Sequence, residues 1–257
     1  MPAEHGGWGL TLEPGVLGVL LAPSLAGALL GLAALLAFLL RTPLRLVLIG
    51  RRRTGRPPST STSLARQRLA TRIAGVELAG LVVAAVVAAL LAADPLWWGP
   101  MLMAVPLLAV AVWFDVHSLS RHPIAEIAGS VAVAGVAAMG ALAGGAAWPL
   151  AFGAWIVLVA RVLTSIPHVR AQVSRIHGRE APALPTLVGD GAALVAASVA
   201  VVIEPALALG AVSIVGLIAV QQVTLRRPPR PARVLGVRQM LLGFTVVGTT
   251  AVGAWLL

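Results

Sequence analysis

The sequence predicts an all-α membrane protein, a polytopic bundle of about nine transmembrane helices with its N-terminus in the cytoplasm and its C-terminus outside. Three observations predict it. At 59% hydrophobic residues, 11% charged residues and a mean hydropathy of +0.95, the 257-residue chain has too little polar surface to cover a water-soluble globule. Its apolar stretches repeatedly reach the roughly 17–25 residues a helix needs to cross a bilayer. All nineteen positive charges are arginines, and they fall at 41–72, 121, 161–179 and 226–238, between or at the ends of those stretches.

Taken in order, the predicted spans are 8–22, 24–40, 73–93, 98–114, 124–144, 149–166, 186–203, 206–225 and 237–256. The first is short and carries Glu13-Pro14, which interrupts its apolar run and removes a backbone donor. Ala22-Pro23-Ser24 is tight enough to turn it into a helical hairpin with the second. Gly27/Gly31 and Gly140/Gly144 sit four apart, the spacing that lets helix backbones approach closely. The segment 41–72 holds nine arginines and the run Pro57-Pro58-Ser59-Thr60-Ser61-Thr62-Ser63, and it reads as a mobile basic cytoplasmic loop within a single domain, 1–257.

Loops then alternate. Those after spans two, four, six and eight carry arginine; those near Pro23, Asp94-Pro95, Gly144 to Pro149 and Glu204-Pro205 carry none. Because basic residues near span ends are retained on the cytoplasmic side, this alternation sets the orientation. The dominance of Arg and Ala and the absence of Lys, Asn and Tyr suit a GC-rich bacterial genome, so the membrane expected is the bacterial cytoplasmic (inner) membrane. Trp97, Trp98, Trp148 and Trp255 fall at the opposite ends, as an interfacial belt would. Met1 to Gly7 has no basic region and is not expected to be a cleaved signal peptide. The net charge of +10 is accounted for by topology and anionic headgroups, so nucleic acid is not an expected partner and membrane lipids are. There is no cysteine, which excludes disulfide and thiol chemistry.

Ionisable groups inside a bilayer are costly and need a partner or a task. Glu13, Glu77, Asp115, Glu126 and Arg161 are the candidates, and several would converge near the cytoplasmic ends of their spans. The densest run is Asp115 to Glu126, in which Pro123 begins a helix and places His122 and Glu126 on one face. Its acids and imidazoles offer acid/base chemistry or a site for a divalent cation, and they serve equally as caps and ion-pair partners. Arg161 and His168 share a stripe if the sixth helix continues through Pro167, and Arg161 is expected to pair with Asp115, Glu126 or Glu77. At the N-terminus, Gly6-Gly7 would let Glu4 and His5 fold back toward the same pocket.

The opening Pro2-Ala3-Glu4-His5-Gly6-Gly7-Trp8, the Arg41-Thr42-Pro43-Leu44-Arg45 run and the series Asp115, Arg121, Glu126 together resemble the YwiC-like family of bacterial membrane proteins, over most of the chain. That resemblance implies a multi-span inner-membrane protein and brings no activity with it. In architecture alone the chain is also similar to UbiA-type intramembrane prenyltransferases, which hold magnesium and an isoprenoid diphosphate on acid-rich loops after spans two and six. Here 41–72 contains no acid and Pro167 to Pro185 only Glu180.

These readings converge on an enzyme or binder of an anionic or phosphorylated lipid in a cavity open to the cytoplasm. Asp115, Glu126, His122 and His5 would be its catalytic groups; Arg45, Arg121, Arg161, Glu4 and Glu77 would bind substrate. A transporter with Glu13, Glu77 and Arg161 as coupling groups and a non-catalytic assembly partner are the alternatives, and oligomeric state is open. The orientation is directly testable: cysteines introduced at Thr60 and Ala147 should label from opposite sides of the membrane, and labelling from one side contradicts nine crossings.

Overall fold

The computed structural model describes the backbone of residues 7–53, 61–117, 119 and 121–257, and the side chains of 8–43, 67–117, 119 and 121–257. Among these residues there are nine α-helices and no strand: α1 Gly7–Leu21, α2 Leu25–Arg53, α3 Ser61–Leu91, α4 Gly99–Val116, α5 Pro123–Ala143, α6 Trp148–Ile176, α7 Ala183–Ile203, α8 Ala208–Leu225 and α9 Ala232–Leu256, with a 3-10 turn at Pro205–Leu207. Eight of the nine are long and apolar enough to cross a membrane. The exception is α1, whose 15 residues rise only about 22 Å.

What faces outward and inward follows from the absence of water. Val76, Leu90 and Val202 are three-quarters or more exposed or close to it, whereas Ala137, Ala138, Ala141, Ala151, Ala154, Ala160, Ala193 and Ala200 are fully buried. Lipid solvates large apolar side chains as well as a protein core does, so the helices gain by turning small residues inward and packing closely. The short α1 takes part in this packing: it contacts α2, α5, α6 and α9. Glycines make the approach possible. A Cβ on Gly15 would lie 2.9 Å from the Cα of Gly31, and one on Gly27 would lie 3.0 Å from the carbonyl oxygen of Gly140. By contrast α3 packs chiefly on α2, and α4 on α5, which leaves both at the periphery.

Helices depart from the expected spans in two places. α2 runs on to Arg53 and α3 begins at Ser61, so most of the segment read as a loop is helical and only 54–60 lie outside the described residues. α6 continues through Pro167 to Ile176. Proline frees the carbonyl of Leu163 from its intrahelical bond, and Gly189 of α7 lies directly against that carbonyl, where any side chain would collide.

Two ends can be told apart. At one, Trp148 Nε1 donates to Asp94 Oδ2 at 2.9 Å and Trp255 Nε1 to the Leu20 carbonyl at 2.8 Å. At the other, Arg41 meets Asp115 and Arg170 donates to the Arg121 carbonyl, so the arginine-bearing connections gather on one face of the bundle.

Candidate functional site

One stripe of α6 organises the interior. Arg161, Thr164, Ser165, His168 and Gln172 recur at spacings of three, four, seven and eleven, which places them on a single helical face. All five are buried. From Arg161 to Gln172 the stripe rises about 16 Å, and Arg161 itself lies about 20 Å along the helix from Trp148, deep in the bundle.

At the deep end, Arg161 meets Glu13 of α1. The guanidinium Nε lies 2.7 Å from Oε2 in an ion-pair contact outside hydrogen-bond angles, and Nη2 donates to Oε1 at 2.9 Å and to the Gln239 carbonyl of α9 at 3.0 Å. Both side chains are almost wholly excluded from the surface, at 3% and 1% exposure. The pair needs room, which Gly243 supplies: a Cβ there would overlap the Glu13 carboxylate and the Arg161 guanidinium. The N-terminal part of α1 is thereby tied to α6 and α9.

Below it runs a chain of neutral groups and one acid. Thr164 Oγ1 is 2.5 Å from Asp190 Oδ1 of α7 and 2.8 Å from Gln221 Oε1 of α8; its single hydrogen serves one acceptor at a time. Gln221 Nε2 donates to Ser165 Oγ at 3.1 Å and to Gln239 Oε1 at 3.4 Å. Gln222 Nε2 donates to Asp190 Oδ2 at 2.6 Å. Three buried polar atoms in this region have no partner among the described residues: His168 Nδ1, Gln172 Oε1 and Gln239 Nε2. The stripe reaches the arginine-rich end at Gln172, which lines a pocket of about 210 Å³ together with residues of α8, the α8–α9 connection and α9.

The residues singled out from the sequence are placed differently. Arg161 is buried as expected, but its partner is Glu13, not Asp115, Glu126 or Glu77, because α1 packs against α6 at that depth whereas the acids of α4 and α5 sit at the helix ends. Asp115 Oδ1 is 3.2 Å from Arg41 Nη2, and Glu126 Oε2 is 2.9 Å from Arg170 Nη1. Arg170 lies nine residues beyond Arg161, about 13 Å along α6, so Glu126 and Arg161 occupy different levels. His122 caps α5, its Nδ1 accepting from the Ile124 amide, and stacks on Phe114. Arg121 contributes its carbonyl to Arg170. Glu77 is half-buried on α3, with Oε2 lacking a partner among the described residues. Glu4, His5 and Arg45 fall outside the residues whose side chains are described. No group of three or more His, Asp or Glu that could hold a metal lies among the described residues.

Asp190, Gln221 and Gln239 were not anticipated. The signal for Asp190 was present, an acid inside an apolar span. For the glutamines it was the polar stripe on α6, which needs polar partners on whatever helices face it.

Fold and interior together define a polytopic helical membrane protein with a polar core in one half. Its sequence matches the YwiC-like protein family over residues 1–141, and the chain belongs to that family. No curated protein and no solved structure matches it. The architectural resemblance to UbiA-type prenyltransferases gains no support from these comparisons.

The two kinds of ion pair should respond differently to substitution. Asp115→Asn and Glu126→Gln remove half-exposed pairs worth about 0–1 kcal/mol and should leave detergent melting nearly unchanged. Gly243→Ala should lower it clearly, since overpacking costs about 1–3 kcal/mol and here would part Glu13 from Arg161. Equal melting of all three proteins would contradict this ranking.

Proposed function

We propose that the protein binds an anionic, phosphorylated lipid in the polar half of its bundle, entered from the arginine-rich end on the cytoplasmic side of the bacterial inner membrane. The observation that carries this reading is the pocket lined by Arg227, Arg230, Arg238, Gln172 and Thr224, at the end of a stripe on α6 whose buried His168 Nδ1 and Gln172 Oε1 have no partner among the described residues. A buried polar atom without a partner costs about 1–3 kcal/mol, a cost that a polar ligand entering by that pocket would offset. The arginines at that opening favour an anion, and the surrounding bilayer supplies amphiphiles.

Binding is favoured over turnover. Asp115 and Glu126 are paired with Arg41 and Arg170 at half-exposed helix ends, and Glu13 is paired with Arg161, so each of these carboxylates already has a cationic partner. Transport is disfavoured by the other half of the bundle: between Trp148 and Arg161, the buried face of α6 is Ala151, Gly153, Ala154, Trp155, Val157, Leu158 and Ala160, which gives a charged solute no polar lining.

Native mass spectrometry of the protein purified in a neutral detergent tests this reading. An anionic phospholipid should be retained at about one per chain and enriched over its share of the source membrane, and His168→Leu, which replaces an unpartnered imidazole by an apolar side chain, should reduce retention. Retained lipid that mirrors the bulk membrane, unchanged in the variant, would overturn it.

A further inference from the structure

The pocket at the arginine-rich end has a composition that specifies a ligand more closely. Arg227, Arg230 and Arg238 line it together with Gln172 and Thr224, and no acid is among its lining residues. Arg227 and Arg230, both exposed, and half-buried Arg238 give this pocket a positive lining with no carboxylate to neutralise it, and their forked donors suit phosphate oxygens. The wall is fixed in place: Arg175 Nη1 donates to the Leu225 carbonyl at 2.6 Å and Nη2 to the Arg227 carbonyl at 2.9 Å, which pins the α8–α9 connection against α6. Arg238 Nη2 is anchored on the Val220 carbonyl at 3.4 Å.

Gln172 adds a second specification. Its Nε2 donates to the Thr224 carbonyl at 3.1 Å, and turning the amide over would set Oε1 against that carbonyl, so the orientation is determined. Oε1 is therefore an acceptor without a partner among the described residues, buried just behind the wall of a cationic pocket, where a ligand reaches it once the side chain shifts. It calls for a donor on the ligand. An ammonium is disfavoured by three neighbouring guanidiniums, and among the neutral donors a phosphate-ester headgroup can carry, a hydroxyl suits this acceptor. At about 210 Å³ the pocket is smaller than the roughly 300–1,000 Å³ of sites that enclose a whole drug-sized molecule, so it holds a headgroup. Exposed Val223 on α8 and Val234, Val237 and Leu241 on α9 offer apolar surface near this level for acyl chains.

We infer that this pocket binds a phosphate ester carrying a free hydroxyl, with Arg227, Arg230 and Arg238 on the phosphate and Gln172 Oε1 accepting from the hydroxyl. The inference rests on the lipid-binding reading above and names the chemistry of its headgroup; a hydroxylated phospholipid and a soluble phosphate are the two sources of that chemistry.

The test is thermal unfolding of the full-length protein in neutral detergent at fixed ionic strength, with phosphatidylglycerol, phosphatidic acid, phosphatidylethanolamine, phosphatidylcholine or inorganic phosphate added. Phosphatidylglycerol well above its dissociation constant should raise the midpoint by about 5 °C or more. Phosphatidic acid should give less, and the two zwitterionic lipids little. Arg238→Gln and the exposed pair Arg227→Gln/Arg230→Gln should each erase the gain from phosphatidylglycerol, and Gln172→Leu should bring it down to that of phosphatidic acid. Stabilisation by inorganic phosphate alone, lost in the arginine variants, would assign the site to a soluble phosphate and overturn its lipid source. Equal effects of phosphatidylglycerol and phosphatidic acid on the native chain would overturn the role of Gln172. Anionic lipids that stabilise the arginine variants as well as the native chain would overturn this pocket and leave the broader lipid-binding reading standing. No stabilisation by any anionic lipid or by phosphate would overturn both.

Discussion

The buried pair between Glu13 and Arg161 is the contact on which the arrangement of the bundle depends. Two full charges in a lipid-solvated interior are each expensive to desolvate, and their attraction offsets that cost only when geometry and further hydrogen bonds are good. Here Arg161 makes two contacts to the carboxylate and a third to the Gln239 carbonyl, and Gly243 leaves the space they need. The consequence is topological. α1 is too short to count as a full crossing by length and composition, yet it packs against α2, α5, α6 and α9, fixed near its middle by its acid and by the close approach of Gly15 to Gly31 of α2.

That arrangement divides the bundle by chemistry. On the side of α2 to α5, ion pairs lie at the helix ends, half exposed, and contribute little to stability. On the side of α6 to α9, polar groups run inward along α6 and meet Asp190, Gln221 and Gln239 from three other helices. A polar interior of this size is retained at a cost in stability, and its unpartnered atoms run from Arg161 Nε at the deep end to Gln172 Oε1 at the arginine-rich mouth. The ligand-binding reading follows from that polar stripe together with three arginines at the mouth.

Much of the fold was legible because it is written locally. Apolar length and the alternation of arginine-bearing loops each depend on neighbours in sequence, and nine helices close to the expected spans resulted. Pro167 was less legible: proline alone marks a break, and that α6 runs through it with Gly189 of α7 packed against the freed carbonyl depends on a residue of another helix. The site was legible only in part. Arg161 announced itself as a deep charge, but its partner lies 148 residues away, and nothing in the local pattern distinguishes Glu13 from Asp115, Glu126 or Glu77. The run from Asp115 to Glu126 drew attention by density, and density at a helix end turned out to mean caps and surface ion pairs. Asp190 carried a weaker local signal, a single acid amid alanines and valines, and became significant once Thr164 and Gln222 were found beside it.

A double-mutant cycle at Glu13 and Arg161, read as unfolding free energy in detergent, tests the central claim most directly. Glu13→Gln and Arg161→Gln each leave one buried charge uncompensated and should cost about 3–5 kcal/mol. With both charges gone, the double variant should recover about 1–3 kcal/mol relative to the sum of the two. Additive losses, with no recovery in the double variant, would show that the two side chains do not hold each other and would contradict the account.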